Sequence, residues 1–480
     1  MNLLAAIFAH AQDRPEAIAI VTPSGRTVSY AQIERLSAIR ARAFRAAGIG
    51  AGDGVLLARG VSPALYVALL ALFRLGAVAM FPEPAAGLPG LAQAVAAAPP
   101  KAMVAGPFGR SLRLLVPALM RLPLLPEPSA GASLGDGPMD GDPRQPALIT
   151  FTSGSTGRPK GIVRTGDFLK LQHDLIEALR RTTPQDVDLI SLPVFILSNM
   201  AMGATSVIPA GNLRRPAQLD GARLLVQVAE HRVTRILAPP AVCGRLAEAA
   251  AAGASRPGQG IVAIFTGGGP VFPNLLHALR AMAPQAALHA VYGSTEAEPI
   301  AHLDFDQVSA RDWRAMAGGA GLLAGRPIPQ ARIEIVDHEV QVAGPHVNRG
   351  YLDPTQDADT KVVRGEVLWH RTGDAARLDD QGRLWLLGRR EAAAGTLFPF
   401  AVEVAASSWP GVRQAALVAD PQRALLCVAG SGLDGADLAR RARSMGDVEL
   451  RVLRAIPMDR RHNSKVDYAR LRRILGSAIQ

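Results

Sequence analysis

Thr150-Phe151-Thr152-Ser153-Gly154-Ser155-Thr156-Gly157-Arg158-Pro159-Lys160-Gly161 is the stretch on which the reading of this chain turns. The apolar run Ala147-Leu148-Ile149 leads into it and reads as a strand. Gly154 and Gly157 let the backbone bend and bring its N–H groups close to an anion. Thr152, Ser153, Ser155 and Thr156 add hydroxyl donors, and Lys160 adds a point charge. A strand that runs into such a loop is suited to holding polyphosphate. The spacing is not that of a Walker A loop, which needs Gly-Lys-Ser/Thr after four variable residues. A flexible Ser/Gly linker is the competing reading. An unbroken row of informative positions directly after a strand speaks against it.

On either side of the loop, short runs rich in Val, Ile and Leu alternate with helical patterns. Strands are expected at Gly54–Leu57, Ala77–Phe81, Leu189–Leu192, Arg235–Ala238, Ile261–Phe265 and Leu288–Tyr292. Helices are expected at Ser29–Ala47, Pro63–Leu75, Phe168–Leu179, Gly221–His231, Pro240–Ala252 and Pro273–Met282. The alternation predicts an α/β fold with parallel sheets flanked by helices. From Ile333 the strands crowd together, which predicts a small antiparallel subregion. Pro126–Pro146 and Glu248–Gly260 read as loops. A boundary near Leu387–Glu391 would divide a large N-terminal region, residues 1–387, from a small mobile α+β lobe, residues 388–480. That lobe reads strand, helix, strand, helix.

The composition narrows the function classes. With 480 residues, 49% of them apolar, the chain can bury a sizeable core. Its net charge of +11 could suit nucleic acid or an anionic membrane, but the basic residues are mostly Arg and spread along the chain, which favours neither. No zinc finger or RNA-binding aromatic signature accompanies them, so no nucleic-acid partner is expected. Cys243 and Cys427 match no metal spacing and no disulfide framework, which fits a reducing cytoplasm. Leu3–Phe8 is apolar but short and has no basic residue before it, so a first helix is expected rather than a signal peptide. Ala64–Met80 is broken by Arg74 and Gly76, so no membrane span is expected.

Four further motifs carry chemistry. Gly267-Gly268-Gly269-Pro270 follows a strand and offers a backbone free of side chains that a flat ring could approach. Tyr292-Gly293-Ser294-Thr295-Glu296 ends another strand, and Glu296 supplies the oxygen ligand a hard dication prefers. His370-Arg371-Thr372-Gly373-Asp374 precedes Gly382–Arg389. Lys465 stands in the basic segment Arg461-His462-Asn463-Ser464-Lys465. Taken singly, each is also an ordinary turn, hairpin tip or surface lysine.

Together, in this order and at this spacing, they resemble the adenylate-forming superfamily of acyl-CoA synthetases, luciferases and peptide-synthetase adenylation domains. The resemblance covers nearly the whole chain. It implies that Thr152–Lys160 holds the ATP phosphates and that Gly267–Pro270 packs on adenine. It implies that Tyr292 stacks on adenine, that Gly293 and Ser294 belong to the same nucleotide-binding segment, and that Thr295 contacts phosphate. Glu296 would hold Mg²⁺, Asp374 would accept from the ribose hydroxyls, and Arg389 would sit by ribose or phosphate. Lys465 would be the adenylation lysine, neutralising charge as a carboxylate attacks the α-phosphate.

Several departures from ordinary acyl-CoA synthetases are similar to the β-lactone synthetases of bacterial olefin biosynthesis. The resembling segments are Leu192–Asn199, Ala204–Pro209, Arg214–Gln218, Trp369–Asp374, Gly395–Pro399 and Arg461–Lys465. That resemblance implies ATP- and Mg²⁺-dependent activation of a fatty or 3-hydroxy fatty acid, then intramolecular closure to a β-lactone with loss of AMP. Apolar residues around Phe195–Met202 and Ala238–Val242 are expected to line the acid pocket. Two alternatives stay open. One is a ligase that forms a thioester with coenzyme A or with an acyl carrier protein supplied in trans. The other is a non-catalytic nucleotide-binding relative.

Overall fold

The computed structural model describes residues 3–83, 86–127, 142–153, 159–254, 260–419, 424–459 and 464–477. The chain divides into two compact units, each with its own framework.

The first unit comprises Met1–Gly211, Glu230–Leu237 and Asn348–Asp359. One of its sheets runs in the order Ala102–Ala105, Gly54–Ala58, Val78–Phe81, Pro146–Ser153, Pro159–Thr165. The first four strands are parallel and the last turns back antiparallel. The crossover Pro63–Arg74 is apolar nearly all round, starts with Pro at its first turn, and buries Leu65 to Leu72. Leu56, Met80, Met103, Ile149 and Phe151 meet in one core cluster with the helix Gly87–Ala97. A second set of parallel strands, Arg235–Ala238, Val187–Ile190, Thr205–Val207 and Ile18–Val21, ends on the antiparallel Thr27–Ser29. Within it Asp188 is wholly buried and accepts from Arg180, Arg235 and Asn199 at 2.7–2.9 Å. A charge so placed is tolerable only because each of its oxygens is paired.

The second unit comprises Asn212–Ala229, Ala238–Val347 and Thr360–Gln480. Ala263–Gly267 runs parallel to Ala287–Ser294. Antiparallel neighbours then follow in the order Ala297–Asp304, Leu322–Pro327, Leu384–Arg389, Val367–Leu378, Glu339–Ala343 and Arg332–Val336. The C-terminal part adds a small sheet of Val412–Ala419, Ala424–Gly430 and Val448–Val452. It packs on the helices Pro399–Ala406 and Gly435–Ser444 through Val402, Leu417, Leu426 and Leu438.

This is the expected α/β class, with helix-flanked parallel strands, an antiparallel region and a smaller C-terminal part. Several details differ. In the second unit antiparallel pairing begins at Ala297 rather than Ile333, because Thr295-Glu296 close a two-residue hairpin with Ser294 opposite Ala297. Over Glu248–Ala251, where the expected helix and the expected loop overlap, the helix prevails: the Ala-rich run continues Pro240–Ala251, as Ala propensity favours. The segment Leu192–Asn199, singled out only for its resemblance, runs into the helix Val194–Met202, whose Ile196 and Met200 are fully buried and so pack in the unit's own core. The C-terminal order is helix, strand, strand, helix, strand, helix. Of the loop at Pro126–Pro146, residues 128–141 lie outside the described residues, and Pro146 opens a strand. Cys243 and Cys427 are free and buried. No helix of the described residues is long and apolar enough to cross a membrane.

Candidate functional site

The quoted loop joins two antiparallel strands. Thr152 faces Lys160 and Ser153 faces Pro159 across the ladder. Gly154, Ser155, Thr156 and Gly157 lie outside the described residues. Lys160 is only 8% exposed, and its Nζ stands 4.9 Å over the Tyr351 ring. Among the described residues no carboxylate pairs with it. A cation–π contact contributes about 0.5–2 kcal/mol. Burying an ammonium costs several kcal/mol, so Lys160 is receptive to an anion. Tyr351 is held by a bridge to Ile162, by Leu352 N–H donating to Gly161 O at 2.7 Å, and by Asn348 donating to Val163 O at 2.9 Å. Sequence reasoning missed Tyr351. Its Gly350-Tyr351 pair far along the chain gives no local sign of where it folds back.

In the second unit, pairing of Ala263–Gly267 with Ala287–Ser294 sets Gly267 opposite Val291, next to Tyr292. A Cβ on Gly267 would meet the Val291 carbonyl at 2.6 Å, so close strand packing alone requires this glycine. The Tyr292 hydroxyl donates to Asp374 Oδ2 at 2.8 Å. Removal of the phenol from water, and then the Asp374 carboxylate beside it, push its pKa well above the usual value. Arg389 donates to Asp374 Oδ1 at 3.0 Å and to Thr372 O at 2.9 Å. Three expected residues therefore form one hydrogen-bonded cluster, drawn together by Asp374 pairing with Arg389 in the ladder. Each Asp374 oxygen keeps a further lone pair for another donor.

Glu339 organises the turn before Asp374. This buried carboxylate accepts from Arg371 Nε at 2.9 Å and Gly373 N–H at 3.0 Å. His370 is buried with its Nδ1 3.2 Å from Thr360 O, and burial holds its pKa down to about 4, so it is neutral. Sequence reasoning missed Glu339, whose only sign is a carboxylate in the otherwise largely apolar strand Glu339–Ala343, which is buried throughout.

Lys465 is exposed and sits on a tight return of the chain. Asp459 Oδ1 accepts from the backbone N–H of Ser464 at 2.9 Å and of Lys465 at 2.8 Å. The N–H of Asp459 donates to Lys465 O at 2.7 Å, and Met458 bridges Val466. This return lies against the glycine turn, where a Cβ on Gly269 would stand 2.5 Å from Ser464 Cβ. Arg461–Asn463 of the same motif lie outside the described residues. Asp459 was also missed; an aspartate ahead of a basic run reads as solvated.

Thr295 and Glu296 form the hairpin turn that follows Tyr292. Among the described residues no group of three His, Cys, Asp or Glu could hold a metal ion. A Mg²⁺ at Glu296 would thus take most of its oxygens from phosphate and water, which is its usual habit.

The model of the AMP-binding enzyme family matches residues 7–352. The olefin beta-lactone synthetase of Stenotrophomonas maltophilia is 30% identical, covering 98% of this chain and 97% of its own. A feruloyl-CoA synthase of Amycolatopsis is 27% identical, with 87% of each chain covered. The crystal structure of IdnL7 superposes with a TM-score of 0.82 at 23% identity, over 100% of this chain and 99% of that one, and shares its fold. On the matched residues and the near-complete coverage, the chain belongs to the AMP-binding enzymes, the adenylate-forming family that activates acids.

Proposed function

We propose that this enzyme activates an apolar carboxylic acid, a fatty or 3-hydroxy fatty acid, as its adenylate and then closes a 3-hydroxyacyl adenylate to a β-lactone. Thr152–Lys160 hold the ATP phosphates, with Lys160 as the buried cation. Gly267–Pro270 and Tyr292 take the adenine, and Gly293 and Ser294 belong to the same nucleotide-binding segment. Asp374, steadied by Tyr292 and Arg389, takes the ribose. Thr295 touches phosphate, and Glu296 carries the Mg²⁺, which supplies charge neutralisation on the phosphates. The observation that carries the reading is the return bearing Lys465 packed on Gly269. It brings the segment of the proposed adenylation lysine against the turn assigned to adenine.

In the first step a carboxylate oxygen attacks the α-phosphorus and pyrophosphate leaves. Lys465 neutralises the charge that develops, and the remaining residues position the reactants. In the second step the 3-hydroxyl oxygen attacks the acyl carbon. The acyl–phosphate C–O bond breaks, AMP departs and the hydroxyl proton passes to solvent. We place a domain boundary at residue 387, with residues 388–480 as a lobe that moves between steps. The strand Leu384–Arg389 runs across that point. A cytoplasmic location is part of the same proposal.

The likeness to a feruloyl-CoA synthase supports a second reading, thioester formation on coenzyme A or a carrier protein. Mass spectrometry of products from a panel of acids, with ATP and Mg²⁺, with and without coenzyme A, separates the two. AMP and pyrophosphate without any thiol are expected. ADP and phosphate alone would remove the adenylate reading, and a strict thiol requirement would replace the lactone by a thioester.

A further inference from the structure

The segment Pro107–Pro126 presents an apolar face to solvent. Phe108, Leu114, Leu115, Met120 and Leu124 are all exposed, Leu114 by 81%. On the helix Pro107–Leu115 the residues Phe108, Ser111, Leu114 and Leu115 share one side, while Gly109 turns inward. A Cβ on Gly109 would meet the Ala58 carbonyl at 2.1 Å, so the helix is seated closely on the strand below and cannot roll its apolar side inward. The exposure is also braced. Arg113 donates to the carbonyls of Leu119, Met120 and Leu122 at 2.8–3.1 Å, tying the short helix Pro117–Met120 back onto its neighbour.

The charge within this segment has one sign. Arg110, Arg113 and Arg121 lie in the segment, and no Asp or Glu occurs from Pro107 to Pro126. The next acid, Glu127, is already paired with Arg40 and Arg59. Protruding apolar side chains flanked by guanidinium groups match a layer with an acyl interior and anionic headgroups. A protein partner of matching charge would more naturally meet a pocket than single projecting leucines.

We propose that this face docks the enzyme on an anionic lipid surface, with Phe108, Leu114 and Leu115 entering the acyl boundary and Arg110 and Arg121 meeting headgroup phosphates. The proposal is independent of the acid and of the second chemical step. The test is co-sedimentation of the purified full chain with two kinds of vesicle, phosphatidylcholine alone and phosphatidylcholine mixed equally with phosphatidylglycerol. Binding to the mixed vesicles, weakened by added salt, is expected. Leu114→Asp with Leu115→Asp should lower it by about tenfold or more, and Arg110→Glu with Arg121→Glu similarly. Circular dichroism and melting of each variant should match the parent, since these side chains already face water. The idea is overturned if the mixed vesicles bind no better than the neutral ones, or if binding ignores both pairs of substitutions. It is equally overturned if the leucine variants alter only the sedimentation of the free chain, which would make the face a contact between copies.

Discussion

Asp374 sets what the residues alone suggest beside what the structure shows. Its motif makes it the proposed ribose acceptor, and in the structure Tyr292 and Arg389 each engage one of its oxygens. Charge-assisted hydrogen bonds to ribose would contribute roughly 1.5–3 kcal/mol each. Asp374→Ala should therefore weaken ATP binding at least about tenfold in calorimetry, with the fold checked by melting. Unchanged affinity would remove the ribose assignment. Lys465 predicts a different pattern. Lys465→Ala should slow pyrophosphate release by about a hundredfold, the scale for losing one preorganised charge donor, with little change in ATP affinity. Gly269→Ala tests the placement without touching the charge. The added methyl collides with Ser464, so the lysine's return must shift and the rate must fall while Lys465 itself is intact. Equal rates for Gly269→Ala and the parent would detach the glycine turn from the lysine. Tyr351, Glu339 and Asp459 were illegible in the sequence because each acts on residues distant in the chain or on backbone N–H groups, and neither leaves a local pattern.

At the scale of elements, the sequence read well where one periodicity dominated, as in Tyr30–Ala46, whose Ser29–Gln32 capping box also marks its start. It is silent where apolar residues of either preference crowd together, as in Val194–Met202, a helix with Ile196 and Met200 fully buried. The C-terminal helix shows a coupling no pattern could reveal. Glu403, in Pro399–Ala406, is 1% exposed and accepts from the Tyr468 hydroxyl at 2.7 Å and from Leu417 N–H at 2.8 Å. Tyr468 begins the helix just after Lys465. Burial raises the Glu403 carboxyl to about 7 from an ordinary 4.5, with the two donors opposing the rise. The native state thus holds a proton that the unfolded chain has lost. Stability from this group is full below pH 4.5 and is lost as pH rises through 7, a difference on the order of 3 kcal/mol. Glu403→Gln keeps an acceptor for both donors but cannot titrate. Its melting temperature should fall less than the parent's between pH 5 and 7, a window set by the same ordinary and raised pKa values. Parallel curves for the two proteins would show that Glu403 does not carry that proton.

For the whole molecule the open matter is what the adenylate meets next. The family is established by matched residues and coverage, yet its members divide between lactone and thioester products, and the fold is common to both. The discriminating physics lies in the acid. A 3-hydroxyl is tethered two carbons from the acyl carbon, and tethering supplies a large effective concentration without a thiol-binding tunnel. Ring strain opposes closure, while loss of AMP from a mixed anhydride drives it. Two acids of equal length, one bearing a 3-hydroxyl and one 3-deoxy, then make a matched pair. With ATP and Mg²⁺ and no thiol, the hydroxy acid should turn over repeatedly to a product lighter than itself by one water. The deoxy acid should stop after a single burst of pyrophosphate, about one per enzyme, because its adenylate has no internal nucleophile. The pair also separates the two layers of the argument. A burst with both acids and turnover with neither, relieved by coenzyme A, would leave adenylation standing and overturn the lactone. No burst with either acid, across the chain lengths tried, would count against a fatty acid as the substrate.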